Sequence, residues 1–203
     1  MRSNKLFSIL INIFAITLIL NIMQFAFFQK TAVAGSISTA KTVSAKVQPK
    51  YVLCSPVKDR KIISTFSKNR NGRPHKGTDY VSRSGNSAVY AFYKGVIVIK
   101  EYESSMGNYV VIKHNVNGKI IYSTYMHLKS YKNITGYVLA GRQIATMGNT
   151  GSSFGTHLHF QIGDAIPHTG TNITLYNGDK MIANGYTFYN SERAISTNLK
   201  IIK

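Results

Sequence analysis

Short apolar runs follow one another along the chain from about Tyr51 onward, and most are rich in β-branched or aromatic residues. Glycine, asparagine and serine separate them, which is the pattern of strands joined by tight turns. The runs are SAVYAF, KGVIVIKEY, GNYVVIKH, KIIYSTYMH, QIATMG and THLHFQI. The sequence therefore predicts a mainly β domain.

One connection between these runs is specified by Asn117-Gly118, in the stretch NVNGKI. Asn-Gly between two apolar runs is a strong hairpin signal, because both residues tolerate a positive φ. Hairpins this closely spaced favour an antiparallel sandwich or a barrel-like β-sheet. The sequence also predicts a short helix in NSERAIS, with Ser191 as its N-cap.

The first 34 residues have a different character. MRSNK is basic, a long uncharged apolar run follows it, and Ala32-x-Ala34 precedes Gly35. This order is typical of a secretory signal with a small-residue cleavage site. The apolar run is also long enough to be an uncleaved membrane anchor. With either outcome, the rest of the chain is expected outside the cytoplasmic membrane, secreted or at the cell wall.

The chain of 203 residues is long enough for one domain with a sizeable core. We divide it into residues 1–34, the signal peptide or anchor; 35–50, a flexible linker; 51–190, the β domain; and 191–203, a C-terminal tail. The linker is small, polar and basic, and its apolar residues show no period. The single cysteine, Cys54, excludes an internal disulfide, and we expect it to be buried.

The formal charge of the whole chain is +18. The N-terminal segment contributes Arg2, Lys5 and Lys30 and no acid, so its removal would leave +15. Such an excess favours an anionic partner, such as an acidic wall polymer, an acidic lipid surface or a nucleic acid. Export makes nucleic acid the least favoured of these, and a lysine-rich surface without a specific partner is the alternative.

The stretch GTHLHFQI places two histidines, His157 and His159, two residues apart in a strand-like run. Successive side chains of a strand point to opposite faces, so both histidines share one face. Leu158 and Phe160 take the other face, as expected of a strand that is half-buried in a core.

A second polar cluster, RPHKGTDY, places His75 and Asp79 four residues apart. Histidine and aspartate both bind zinc, and a catalytic zinc has three protein ligands and an open position for water. His75, Asp79 and one histidine of HLH would complete such a set. The helical H-E-x-x-H motif is absent, so a histidine is expected as general base, either His157 or His127.

The segment GSSFG, residues 151–155, also matches the G-x-S-x-G nucleophile elbow, with Ser153 as nucleophile. That elbow requires a strand before it and a helix after it. A predicted strand follows here instead, and Asp164 and His168 lie too close in sequence to be convincing partners. We therefore predict a flexible loop of small residues.

The residues from about Ile63 to Ile162 resemble the lysostaphin/LytM-type zinc metallopeptidases, exported enzymes that cut peptide bonds in bacterial peptidoglycan. The resemblance rests on HKGTDY for H-x-x-x-D, on YMHL, and on VLAGRQIATMGNTGSSFGTHLHF, which ends in H-x-H. DYVSRSG and YNSE depart from the family pattern at positions that carry none of these histidines or the aspartate.

The resemblance implies zinc ligands at His75, Asp79 and His159, and catalytic histidines at His127 and His157. It also implies a zinc groove across an antiparallel sheet, a peptidoglycan peptide as substrate and hydrolysis by a zinc-activated water. Some relatives have lost ligands and act as scaffolds or as activators of other wall hydrolases. A non-catalytic wall-binding protein is therefore the alternative to an enzyme, and all five residues are kept here.

Overall fold

Antiparallel strands make up most of the regular structure in the part of the chain that the computed structural model describes. These residues are 52–70, 72–166 and 173–202, so the predicted signal segment and linker lie outside them. The fourteen strands are β1 Arg60–Ser64, β2 Asn69–Arg70, β3 Arg73–Pro74, β4 Thr78–Ser82, β5 Ala88–Tyr90, β6 Gly95–Glu103, β7 Gly107–Val116, β8 Lys119–Tyr131, β9 Gly136–Val138, β10 Gln143–Met147, β11 Leu158–Gly163, β12 Ile173–Asn177, β13 Lys180–Ala183 and β14 Tyr186–Tyr189.

Twelve of these strands form one sheet, whose main path runs β12-β13-β14-β11-β8-β7-β6-β9. The sheet branches where β4 pairs with both β1 and β11, and where β10 pairs with both β5 and β8. Strands β2 and β3 form a separate small hairpin between β1 and β4. The prediction of a mainly antiparallel β domain is confirmed.

The predicted Asn-Gly hairpin joins β7 to β8, the two longest strands. Asn117 and Gly118 have φ values of 54° and 88°, which is the backbone of a two-residue turn that matches the twist of its strands. The side chain of Asn115 accepts a hydrogen bond from the backbone N–H of Gly118 at 2.8 Å. This hairpin is therefore as the sequence predicts.

The register of β11 separates a polar face from the core. Leu158 and Phe160 are fully buried, and the Phe160 ring packs 5.0 Å from that of Tyr125. His159, between them, points to the other face and pairs with Asp79 of β4 and with Met126 of β8. The alternation predicted for HLHF thus places one histidine of the motif directly beside the aspartate of the second cluster.

The last residues of the chain pack against the core. Helix α1, Ser191–Ser196, is present where NSERAIS predicts it, but its N-cap is Asn190 and not Ser191. The Asn190 side chain accepts a hydrogen bond from the backbone N–H of Arg193. This N–H lies in the first turn of the helix and has no partner within the helix, so the cap satisfies it. Ala194, Leu199 and Ile202 are buried in the main hydrophobic cluster.

Two polar side chains outside the metal-ligand motifs, His114 and Cys54, are removed from solvent to different degrees. His114 is buried, and it donates from Nδ1 to the Lys94 carbonyl (2.9 Å) and accepts at Nε2 from Ser123 (2.7 Å). Burial lowers the pKa of His114 to about 4. Cys54 is half-buried, and burial raises the pKa of its thiol. Among the described residues, no helix combines the length and apolar character needed to cross a bilayer.

Candidate metal centre

Three side chains from separate segments converge at one point on the polar face of the sheet. His75 precedes β4, Asp79 lies in β4 and His159 lies in β11. Asp79 Oδ1 is 3.1 Å from His75 Nε2 and 2.9 Å from His159 Nδ1, and the two ring nitrogens are 2.9 Å apart. All three side chains are buried, so these atoms face one another and not solvent.

The outer nitrogen of each imidazole is held by a carbonyl oxygen. His75 Nδ1 donates to the Thr65 carbonyl at 2.9 Å, and His159 Nε2 donates to the amide oxygen of Gln161 at 3.3 Å. A neutral imidazole that donates from one nitrogen carries a lone pair on the other. The lone pairs of His75 Nε2 and His159 Nδ1 therefore both point at Asp79, which is the orientation that such outer partners give to metal-binding histidines.

The carboxyl group of Asp79 is charged. Burial raises its pKa, but hydrogen bonds and positive charge from His159 and His75, which act when their facing ring nitrogens carry a proton, lower it by more, so the pKa lies well below its usual range. Its second oxygen, Oδ2, is paired with the guanidinium of Arg70, which also donates to Ser64 Oγ at 2.7 Å. Only Oδ1 is left to face the two histidines.

A carboxylate and two imidazole nitrogens this close together form a donor set that could hold a cation. Two imidazoles and one carboxylate are a common protein donor set for a catalytic zinc, and they leave a coordination position for water or substrate. The three residues thus fit a divalent metal ion of this kind.

Two further histidines border the cluster. The rings of His127 and His157 are 4.8 Å apart, and His157 Nε2 is 3.9 Å from Asp79 Oδ1. Nδ1 of His127 donates to the Thr150 carbonyl at 2.9 Å, and Nδ1 of His157 donates to the Gly155 carbonyl at 2.8 Å. In a neutral ring of this tautomer, Nε2 has a lone pair that can accept a proton, and burial lowers the pKa of His127 to about 4.

The backbone of His127 is bent out of the regular ladder. Its φ is 61°, and β8 changes register against β7 and against β10 beside it. Its N–H bonds to the Met106 carbonyl at 2.8 Å. Bulges of this kind redirect a side chain, and strained non-glycine residues concentrate at functional sites. The bulge directs the His127 side chain to the same cleft as His157.

An open cleft of about 440 Å³ lies against these residues. Asp79, His127 and His157 line it together with Ser64 and the loop Ser152–Thr156. The metal-competent cluster is therefore next to a space that can admit a chain-like ligand.

Ser153 does not have the surroundings of a nucleophile. Strand β11 follows its loop where the elbow requires a helix, and His168 lies outside the described residues. Ser153 Oγ is 3.2 Å from His157 Nδ1, but that nitrogen donates to Gly155 and cannot accept the serine proton. The loop is anchored, since Ser152 N–H bonds to the Ser105 carbonyl at 3.0 Å.

Several groups at the centre were not identified from the sequence. Three are backbone carbonyls, of Thr65, Thr150 and Gly155, and a carbonyl leaves no mark in the sequence. Gln161 could have been found, because it follows His159 by two residues on the same strand face. Arg70 could not, since the small β2–β3 hairpin that carries it was not predicted.

The fold and this cluster define an antiparallel β domain with a His-Asp-His centre beside a cleft. Residues 73–171 match the model of peptidase family M23. The chain belongs to this family, and the predicted resemblance to lysostaphin/LytM-type enzymes is confirmed.

Parts of this chain are similar to individual known proteins. The peptidoglycan DD-endopeptidase ShyC of Vibrio cholerae is 33% identical over 125 residues, which cover 58% of this chain and 28% of ShyC. The catalytic domain of the antimicrobial peptidase lysostaphin from Staphylococcus simulans is 30% identical, with 55% of this chain and 79% of that domain covered and a TM-score of 0.41. Whole lysostaphin has a TM-score of 0.50 at 24% identity, over 71% of this chain and 52% of lysostaphin. The chain thus spans about a quarter of its curated relative ShyC.

Proposed function

We propose that this protein is an exported zinc metalloendopeptidase that hydrolyses peptide bonds in bacterial peptidoglycan. In this proposal His75, Asp79 and His159 bind zinc, and His127 and His157 handle protons. The observation that carries it is the convergence of the buried His-Asp-His cluster with two more histidines at an open cleft. Family membership and the similarity to a named peptidoglycan DD-endopeptidase support the choice of substrate.

The mechanism assigns each side chain one task. A zinc ion at the centre would polarise the scissile carbonyl and lower the pKa of a water to about 7. Nε2 of one cleft histidine accepts the proton of the attacking water, because Nδ1 of the same ring already donates its proton to a backbone carbonyl. The other Nε2, once protonated, donates to the developing oxyanion or to the departing amine. Arg70 keeps Asp79 turned so that a single oxygen faces the two imidazoles.

We expect the activity to require the metal ion and not Ser153. A zinc chelator should abolish the digestion of purified walls, and added zinc should restore it, whereas Ser153→Ala should keep most of the activity. The measurement is the rate of wall clearing by the chelated protein, by the protein with zinc restored and by the Ser153→Ala variant. A dead Ser153→Ala variant together with harmless chelation would establish the serine mechanism. If no preparation digests any wall, the non-catalytic scaffold becomes the better account.

We further propose that anionic wall polymers contribute to binding. A groove of about 560 Å³ lies along β1, and its lining carries Lys58, Lys61 and Arg83. The two acids of the lining are already engaged: Asp59 accepts from Ser82 Oγ at 2.9 Å, and Glu192 pairs with Arg60 at 3.1 Å. The lining has four cations, Lys58, Arg60, Lys61 and Arg83, against these two acids, so the groove has a net positive charge that favours a polyanion, in agreement with the charge of +18.

Binding to walls should weaken as salt rises, because the Debye length falls from about 10 Å at 0.1 M to about 3 Å at 1 M. Replacing Lys58, Lys61 and Arg83 by glutamine should weaken sedimentation with purified walls by about tenfold at low salt, given the usual strength of exposed ion pairs.

The control variant replaces three exposed lysines outside the groove, Lys113, Lys129 and Lys132, by glutamine, so that it has the same net charge. Equal losses in the two triple variants would mean that total charge, not the groove, governs binding. Retention that does not change with salt, or with removal of the anionic polymer, would refute the electrostatic proposal.

A further inference from the structure

The cleft beside the metal centre carries side chains that the proposed metal chemistry does not use. Its lining includes the cations Lys68 and Arg70, and among the described residues Asp79 is the sole acid of that lining. Arg70 is already committed to Asp79 and Ser64. Lys68 is exposed and forms no ion pair with any described residue, so it leaves one available positive charge at the cleft.

The position of Lys68 is fixed by the metal centre itself. Its carbonyl accepts the backbone N–H of His75 at 3.1 Å, and its own N–H bonds to the Thr65 carbonyl at 3.3 Å. Thr65 is also the acceptor for the His75 ring. The Lys68 backbone is therefore bonded to the segment that positions His75, and its side chain lines the cleft beside the metal centre.

Phe154 supplies the complementary feature. Its relative exposure is 107%, the highest of the large apolar side chains in the described residues, and it lies in the lining of the same cleft. The loop that presents it is fixed at both ends: Ser152 N–H bonds to Ser105 at 3.0 Å, and Gly155 N–H bonds to the Asn149 side chain at 2.8 Å. A fully exposed aromatic ring on an anchored loop is suited to contact a ligand, because its large apolar surface is then removed from water.

The two features reach the centre from different directions. The segment with Lys68 leads into Thr78, at the start of β4, whereas the loop with Phe154 leads into Leu158, which pairs with Tyr80 further along β4. The backbone segments that carry Lys68 and Phe154 therefore enter the cleft lining from opposite ends of the β4–β11 pairing, with the Asp79–His159 pair between those ends.

We propose that Lys68 binds a carboxylate of the substrate next to the scissile bond and that Phe154 packs against an apolar group on the other side of that bond. The inference rests on the proposed function and narrows its substrate to an anionic peptide with an apolar side group. A bridge of glycine residues has neither group, and it would leave both contacts unused.

The test compares three substrates of the zinc-loaded enzyme. Two are synthetic cross-linked peptides that differ only in a free or an amidated carboxyl group beside the scissile amide, and the third is pentaglycine. The wild type should cleave the free acid about fivefold faster than the amide in kcat/KM, as expected for one exposed ion pair, and pentaglycine most slowly. Lys68→Gln should remove this preference by slowing only the free acid, Lys68→Arg should retain it, and Lys68→Glu should reverse it.

Phe154→Ala should raise KM about tenfold for both cross-linked peptides, since burial of an aromatic ring on a ligand is lost, and leave the preference for the acid unchanged. Lys132→Gln and Tyr137→Ala are the matched controls, because both side chains are exposed and lie outside the cleft lining. Neither should change kcat/KM for any of the substrates.

Equal preference in Lys68→Gln and the wild type, or faster cleavage of pentaglycine than of the free acid, would overturn the inference. Absence of cleavage of all substrates by the wild type would refute the proposed function alone. In that case, calorimetric binding of the two cross-linked peptides decides: tighter binding of the acid that Lys68→Gln abolishes supports the inference, and equal binding refutes it.

Discussion

His159→Ala should purify largely free of zinc and without activity, whereas His157→Ala should keep near-stoichiometric zinc and lose about 10²–10⁴ in rate. The two histidines are two residues apart, and strand geometry alone treats them alike. Their surroundings differ: His159 Nδ1 is 2.9 Å from Asp79 Oδ1, and His157 Nε2 is 3.9 Å from the same oxygen. At 2.9 Å, the Nδ1 atom of His159 belongs to the cluster of ligand atoms. At 3.9 Å, the His157 ring lies at the border of that cluster.

His75→Ala should behave like His159→Ala, and His127→Ala like His157→Ala. Elemental analysis and wall-clearing rates on the same samples measure both properties. The buried His114, which lies in a separate hydrogen-bond network with Ser123, is outside the site, and it should not be needed for zinc. Zinc lost from His157→Ala but kept by His159→Ala would reverse the two roles, and full activity in both would rule out the site.

The parts of the fold that are local in sequence could be predicted. The turn at Asn117-Gly118 and the alternation of His157 to Phe160 depend on backbone preferences of a few neighbouring residues, and both are present. The convergence of His75 and His159 joins residues 84 positions apart. It depends on β4 pairing with β11, which the sequence did not predict: zinc-ligand chemistry suggested that these residues come together, and the resemblance to a family singled out His159.

What could not be predicted depends on tertiary context. His114 and His127 both follow apolar strand residues, yet one is a buried structural side chain and the other lies on a bulge with a φ of 61°. The helix near the C-terminus was predicted, but its cap depends on whether Asn190 or Ser191 adopts the extended conformation. In each case neighbouring strands decide between local alternatives of similar energy.

The small residue Gly77, within HKGTDY, controls how closely the two segments of the proposed metal centre approach. A Cβ atom at this position would lie 2.5 Å from the Phe160 carbonyl oxygen and 2.7 Å from His159 Nε2. Both distances are well below van der Waals contact, and the first is to backbone in the centre of the sheet. Glycine is therefore required here by the close approach of β11 and not by its own φ.

Gly77→Ala should lower the free energy of unfolding by about 1–3 kcal/mol, as overpacking does. It should also weaken zinc binding by about 10–100-fold, because the methyl group would displace the His159 ring from its hydrogen bond with Gln161. Competition with a chelator of known affinity measures the zinc effect, and denaturant unfolding of the metal-free protein measures stability.

Two glycines provide controls for Gly77→Ala: Gly155 at the cleft and Gly178 away from it. At both positions the space that an alanine methyl group would occupy is free of other atoms within 4 Å, and neither glycine has a positive φ. Alanine at either should leave zinc affinity unchanged. If Gly77→Ala bound zinc as tightly as these two variants while folding normally, His159 Nε2 would not need its place beside Gln161. The hydrogen bonds that hold the outer nitrogens of the imidazoles would then lose their assigned role, and the lone pairs that face Asp79 would have to be oriented by the strand register alone.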